Sequence, residues 1–472
     1  MDAINDGSLD LATCLAALPP EWPIDLQPVI DDHLIRHPQT VVVLDDDPTG
    51  TQTVAGIPVL TEWSVEALAN ELANNWPAIY ILTNSRSMPL AQAQALNSTI
   101  GHNLTIAAAQ AKRAISVVSR SDSTLRGHFP GEVAALAQGL GETNATWLII
   151  PFFLEGGRYT IDDIHYVAQG QRLVPAGATA FARDPAFGYR ASNLREWVAE
   201  KSGGSHSANA VGSISLDDLR QGGPERVASL LLALTQGSIC IVNAASYRDI
   251  QVLVTGLLMV EATGRRYLYR TAASFVRVRA GIVAHPLLQP QDLHLPLTGG
   301  GLVIVGSYVP TTTAQLEHLL AANIVSVEVD VAALANDARQ AASIEQVAQQ
   351  ADAALQEGHD VVISTSRQLM AGPDATTSLA IGRRVSDGLC AILAAITTRP
   401  RYLIAKGGIT SSDLATIGLG VRRALVLGQI VAGVPVWKLG PECRYPDLIY
   451  IVFPGNVGGP GTLADVVAML RP

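Results

Sequence analysis

From Thr40 onward the chain alternates short apolar runs, rich in Val and Ile, with longer stretches of helical periodicity. Residues 41–44, 78–82, 114–119 and 147–151 read as strands. Residues 64–75, 90–113 and 131–139 read as helices between them, the first with Ser64 as N-cap and Glu66 in its first turn. Short continuous apolar runs separated by helices demand right-handed crossovers and a parallel sheet buried on both faces. The same pattern resumes between 216 and 283, with helices at 224–234 and 247–261 and a strand at 238–243. Residues 285–298 carry Pro286, Pro290 and Pro296 with few regular signals, which marks a linker. After Gly299-Gly300-Gly301 a second series begins, with strands at 302–305, 325–331, 360–364, 402–405 and 448–453. Its helices are expected at 313–322, 343–357, 377–398 and 462–470.

The expected fold is therefore α/β: two domains, each a mainly parallel sheet flanked by helices, with the active site in the cleft between them. The expected boundaries are an N-terminal extension at 1–39, a first domain at 40–284, a linker at 285–298 and a second domain at 299–472. The extension holds a short amphipathic piece at 9–18 and a Pro-rich stretch, and is expected to pack on the first domain. Residues 151–215 read as loop and short helices. They contain Glu155-Gly156-Gly157-Arg158-Tyr159 and Phe181-Ala182-Arg183-Asp184-Pro185, and length without clear periodicity marks a lid or binding loop.

Composition narrows the class. Hydrophobic residues make up 48% of 472, enough for two sizeable cores, while charged residues are 16% and aromatics 5%. The net charge of −10 argues against nucleic acid or an anionic membrane as partner. The cysteines, Cys14, Cys240, Cys390 and Cys443, are scattered, with no CxxC, and read as free thiols of a cytoplasmic protein. The acidic stretch Met1–Asp6 lacks the basic start and apolar core of a signal peptide. No run reaches the roughly 18 uninterrupted apolar residues of a membrane span. A homodimer is an expectation from apolar positions on the long helices.

Three successive strands of the first domain end in polar clusters. They are Asp45-Asp46-Asp47-Pro48-Thr49-Gly50, then Asn84-Ser85-Arg86, then Arg120-Ser121-Asp122-Ser123-Thr124-Leu125-Arg126-Gly127. In an open parallel sheet ligands bind beyond the carboxyl ends of the strands. Three adjacent carboxylates repel one another and need an offset from a metal, a cationic ligand or a shared proton. The plainer alternative is a solvated turn whose acid caps the next segment. Arg126 and Arg86 suit a carboxylate, and Asp122 with its hydroxyl neighbours suits sugar hydroxyls. The alternative there is a solvated loop with a structural Arg–Asp pair. His33, His128 and His165 each stand without a useful partner in sequence and read as ordinary histidines.

In the second domain three turns follow strands and precede helices: Val305-Gly306-Ser307-Tyr308, Lys406-Gly407-Gly408-Ile409-Thr410 and Pro454-Gly455-Asn456-Val457-Gly458. Glycines let a ligand approach the backbone, and free N–H groups suit phosphate. There is no GxxxxGK[ST] and no GxGxxG opening a first βαβ unit, so neither a P-loop nor a dinucleotide fold is supported.

Asp46-Asp47-Pro48-Thr49-Gly50-Thr51, Asp122-Ser123-Thr124-Leu125-Arg126-Gly127, Lys406-Gly407-Gly408-Ile409-Thr410-Ser411 and Pro454-Gly455-Asn456-Val457-Gly458 occur in this order. Together they resemble the four-carbon acid sugar kinases, from about residue 40 to the end of the chain. The resemblance implies a sugar-acid-binding domain followed by a nucleotide-binding domain. It implies ATP-dependent phosphorylation of threonate, erythronate or 3-oxo-tetronate at the terminal hydroxyl. It places Asp46, Asp47, Arg86, Asp122, Ser123, Thr124 and Arg126 around the acid, to which Thr49 and Ser85 are added. It places Ser307, Gly407, Gly408, Ile409, Thr410, Gly455 and Gly458 around ATP, to which Lys406 and Asn456 are added. The chain departs from commoner members in its third acid, Asp45, in Ile409 where others have an acid, and in its extra length. The mechanism expected from this has Arg126, with Arg86, holding the substrate carboxylate. Asp46 or Asp47 takes or orients the proton of the attacking hydroxyl, and Mg2+ bridges the phosphates. Lys406 either helps hold the nucleotide or points away to a surface acid. Closure across 285–298 would exclude water. A sensor without turnover and a metal-dependent lyase or aldolase on similar acids remain the alternatives.

Overall fold

The structure is a computed structural model that describes residues 7–261, 263–322, 324–367 and 375–471. The Met1–Asp6 stretch, read above as no signal peptide, lies outside the described residues. The chain divides into two compact units. One runs to Asp46 and takes in Trp63–Val283; the other comprises Asp47–Glu62 and the chain from Ala284 onward.

The first unit holds a parallel sheet in the order Gly212–Ile214, Ile239–Val242, Thr146–Ile150, Tyr267–Thr271, Ala114–Arg120, Gln39–Asp45, Ala78–Leu82. Val42 and Val43 are fully buried, as are Ile79, Tyr80 and Ile81 on the neighbouring strand. β-branched side chains suit a strand covered on both faces, and each contributes roughly 1.5–3 kcal/mol by leaving water. Between these strands run helices Val65–Ala73, Leu90–Ala111 and Gly131–Leu140. Ser64 caps the first by accepting from the Ala67 N–H.

Residues 151–215 are more regular than expected. Arg158–Ile161, Ile164–Gln169 and Arg172–Pro175 form a small antiparallel sheet, with Leu9–Asp10 at its edge, and Leu194–Lys201 is a helix. The strands are too short to show a period. Their first turn is Asp162-Asp163, both left-handed at φ 51° and 66°. That is the type I′ hairpin geometry normally signalled by Asn-Gly, so Asp-Asp conceals it. Strand Tyr267–Thr271 also escaped the sequence pattern, and it carries Arg270.

The N-terminal extension packs on this unit. Helix Gln27–Arg36 lies within the stretch that read as Pro-rich and irregular. Arg220 donates to the Pro19 carbonyl at 2.7 Å and makes a buried two-bond pair with Asp249 at 2.8 and 2.9 Å.

The second unit has a mixed sheet. Leu403–Lys406 lies between Leu302–Val305 and Ile449–Phe453, and Val361–Thr365 and Val325–Val329 continue the parallel part. Val434–Leu439, Arg423–Val431 and Ile57–Leu60 extend it antiparallel. Asp47–Glu62, expected in the first domain, pack here. Their strand pairs with Arg423–Val431, Gln52 donates to the Gly433 carbonyl at 2.9 Å, and the Trp437 indole donates to Thr51 at 3.1 Å. The stretch read as a linker also packs here: Leu293 is 3% exposed within this core, and the Leu288 N–H bonds the Gln429 carbonyl at 2.7 Å. Its prolines disguised leucines that pack. Among the described residues no helix is long and apolar enough to cross a membrane.

Candidate functional site

The sheet register of the first unit sets Asp45 opposite Arg120 on one neighbouring strand and Leu82 on the other. The three polar strand ends therefore share one edge. Of the three acids at 45–47, the first two share the Arg120 guanidinium and the third turns to the second unit, which offsets their mutual repulsion. Asp45 is buried against the Arg120 guanidinium at 3.1 Å. Asp46 accepts from the Ser121 hydroxyl at 2.9 Å and lies 3.7 Å from Arg120 and 3.9 Å from Arg86. Its Oδ1 is buried with no hydrogen bond. Asp47 belongs to the second unit, where it caps a short 3₁₀ turn, Pro48–Thr53, by accepting from the Thr49 N–H at 2.8 Å. Thr49 goes with it, so the structure does not group Thr49 with Asp122 and Arg126 in the first unit. Arginines and a cap thus supply the offset that the sequence asked for.

Around Asp46 the 121–127 loop closes a network. Asp122 takes the Arg126 Nε–H at 2.6 Å and the Thr124 hydroxyl, and lies 3.7 Å from Arg86. Burial alone would raise its carboxyl, but the Arg126 and Arg86 guanidiniums and these hydrogen bonds hold it well below the carboxylate range. Gly127, at φ +121°, has its α-carbon so close to Ser121, Arg270 and Asp46 that a side chain would crowd all three. Glu132 is pushed above the usual range by burial and then by the charge of Asp46. Ser85 is buried and accepts from Thr83 at 3.1 Å. Arg270 Nη1 and Thr271 Oγ1 are further buried groups with no hydrogen bond. Orphaned polar atoms gathered at one sheet edge suit a ligand rich in hydroxyls.

The 151–215 region supplies the wall of this site. The Tyr189 hydroxyl donates to the Thr124 carbonyl at 2.7 Å, and His165 Nε2 bonds the Ser123 carbonyl at 2.8 Å. Burial pulls His165 down to about 4, so it stays neutral and structural, as an ordinary histidine should. Asp184 lies 3.4 Å from Arg126, and Phe181 lies under the guanidiniums of Arg126 and Arg158. Arg158, Phe181 and Asp184 sat in stretches that stood out in the sequence without a role. Arg270 sat on the unseen strand.

In the second unit the turns at 306–308, 407–410 and 454–458 follow the adjacent strands Leu302–Val305, Leu403–Lys406 and Ile449–Phe453. The Ser307 N–H bonds the Lys406 carbonyl at 3.4 Å, and Thr312 links Ser307 at 3.2 Å to the Gly455 carbonyl at 2.8 Å. Gly407 takes φ +121°, and a side chain on Gly408 would overlap the Asp47 carboxylate. Ile409 is 53% exposed, Thr410 is buried, and Asn456 and Gly458 are exposed. Lys406 points neither to solvent nor to a surface acid. It is fully buried, its ammonium donates to the Pro454 carbonyl at 2.5 Å and lies 4.1 Å from the Phe453 ring centre. Burial pulls its pKa down to about 7. Arg367, which the sequence did not single out, donates to the Ser307 carbonyl at 2.7 Å. Glycine turns braced from beneath by buried side chains can take a polyphosphate along their N–H groups.

The domain family described as "Sugar-binding N-terminal domain" matches residues 41–279, and that described as "Nucleotide-binding C-terminal domain" matches 302–463. Among curated proteins, the D-threonate kinase of Salmonella typhimurium is 24% identical over 90% of this chain and 97% of its own. The D-erythronate kinase of Heliobacterium modesticaldum is 26% identical over 75% and 78%. The 3-oxo-tetronate kinase of Methylobacterium radiotolerans is 28% identical over 88% and 95%. Among solved structures, a Haemophilus influenzae protein superposes with a TM-score of 0.59 at 19% identity, covering 91% of this chain and 100% of that one.

Proposed function

The chain belongs to the four-carbon acid sugar kinase family, and on that premise we propose that it transfers the terminal phosphate of ATP to the terminal hydroxyl of a threonate-, erythronate- or 3-oxo-tetronate-class acid. The observation that carries the acid site is Asp46 Oδ1, a buried acceptor with no hydrogen bond, set among arginines. In this reading Asp46 accepts the proton of the attacking hydroxyl. Asp122, Ser123 and Thr124 meet the other hydroxyls, and Arg86 and Arg126 give the positive wall that an anionic substrate needs. Phosphoryl transfer is mostly positioning and charge neutralisation, which suits residues braced as these are.

The nucleotide lies along the turns at 306–308, 407–410 and 454–458, with Lys406 and Arg367 holding those turns. Among the described residues no three His, Cys, Asp or Glu gather into a metal cage. Magnesium fits such a site, since it uses one or two carboxylates together with phosphate oxygens. Asp47, beside Gly408, would hold it, and the ion would neutralise phosphate charge. The three relatives are kinases, so neither a sensor without turnover nor a lyase is favoured.

A coupled ADP-release assay with Mg-ATP and D- and L-threonate, D- and L-erythronate and 3-oxo-tetronate tests the reading. Turnover with one of these acids is expected; silence with all of them overturns it. Gly408→Ala is expected to lower kcat/KM for ATP about 10²-fold, because the new methyl displaces the Asp47 carboxylate that caps the Pro48–Thr53 turn, and the 407–410 turn with it. Calorimetric binding of the acid to that variant is expected to match wild type. Unchanged ATP kinetics would remove the 407–410 turn from the nucleotide site.

A further inference from the structure

Five arginines crowd the acid site of the first unit, and four of them have carboxylates at hand. Arg86 has Asp46 and Asp122, at 3.9 and 3.7 Å. Arg120 has Asp45 and Asp46, at 3.1 and 3.7 Å. Arg126 has Asp122 and Asp184, at 2.6 and 3.4 Å. Arg270 has Glu132, at 4.0 Å. Arg158 differs. Among the described residues no carboxylate lies within 4.0 Å of it; its guanidinium bonds only the neutral Gly156 carbonyl. Its Nε is buried with no hydrogen bond. Its guanidinium carbon lies 5.8 Å from the Phe181 ring centre, and that of Arg126 lies 5.2 Å from the same centre. Burial therefore lowers the Arg158 pKa, with only a partial offset from the charge of Asp122. A guanidinium taken from water without a counter-charge is costly, and a ligand anion removes that cost. The planar fork matches a carboxylate oxygen for oxygen.

We propose that Arg158 receives the carboxylate of the acid substrate, with Phe181 as the platform that aims its guanidinium. This moves the principal grip from Arg126, which already spans two carboxylates, and it rests on the acid-kinase reading above. Arg126 then orders the 121–127 loop through Asp122 and keeps the wall positive. Arg158 thereby distinguishes an acid from the corresponding neutral polyol.

The test compares wild type, Arg158→Gln and Arg158→Lys in the ADP-release assay. Calorimetric titrations with the acid and with the neutral four-carbon polyol of the same hydroxyl configuration accompany it. Arg158→Gln is expected to raise KM and Kd for the acid about 10²-fold, with a much smaller change in kcat and in polyol binding. Arg158→Lys, which keeps charge but loses the fork, is expected to fall between. Acid affinity unchanged in Arg158→Gln overturns the proposal. So does equal weakening of acid and polyol with a lowered melting temperature in both variants, since that marks a packing role. If wild type releases no ADP with any acid, the kinase reading fails, and the acid titration still decides Arg158. Tighter acid binding by wild type than by Arg158→Gln supports it; no acid binding by wild type overturns it.

Discussion

Asp46→Asn is expected to lower kcat by about 10²–10⁴, the range for losing a positioned general base, with KM for the acid changed far less. The substitution keeps shape and the Ser121 contact while removing the basic lone pair at Oδ1, the atom left without a hydrogen bond. Asp47 sits elsewhere: its Oδ1 caps Thr49 and its carboxylate lies against Gly408. Asp47→Asn is accordingly expected to act on KM for ATP and on the magnesium requirement. Steady-state kinetics with each substrate varied separates the two. A near-normal kcat in Asp46→Asn with a collapsed kcat in Asp47→Asn would exchange their roles. Near-normal turnover in both would remove the acid cluster from the chemistry.

Lys406→Met is expected to change how stability depends on pH. The lysine is fully buried and burial holds its pKa at about 7, whereas an unfolded lysine titrates at about 10.4. Between those values the unfolded chain binds a proton that the folded chain does not, so rising pH favours the fold. The stability of wild type relative to Lys406→Met should therefore be lowest below pH 7. It should climb by about 1.4 kcal/mol per pH unit and level off near pH 10. Urea unfolding of both proteins without nucleotide, from pH 6 to 10, reads the difference, in which other titrating groups cancel. A flat difference would show that Lys406 stays charged in the fold. The same side chain bonds the Pro454 carbonyl at 2.5 Å, so the variant should also loosen the 454–458 turn and raise KM for ATP.

Much of the scaffold was legible in the chain. The strands at 78–82 and 302–305 and the helices at 247–261 and 462–470 appear with the expected ends. Their periodicity and punctuation lie in consecutive residues, and local sterics set them. The motifs at strand ends were legible for the same reason, since a parallel sheet carries its ligand-facing residues there. The small sheet of 158–175 was hidden by strands too short to show a period and by a left-handed Asp-Asp turn.

The site itself needed long-range information. Asp45, Asp46 and Asp47 are indistinguishable as neighbours, yet one hydrogen-bonds Arg120 across the sheet, one keeps an oxygen among arginines with no hydrogen bond, and one leaves to cap a turn in the other unit. Asp45 and Arg120 lie 75 residues apart. Arg126 and Asp184 lie 58 apart. Lys406 and the Pro454 carbonyl lie 48 apart. No local spacing encodes such pairings. Spacing and chemical type were enough to state that acids, arginines and glycine turns would gather at strand ends. Which charge finds a partner, and which is left without a hydrogen bond, follows from packing, because burial makes an unmatched charge expensive only once the chain has closed around it.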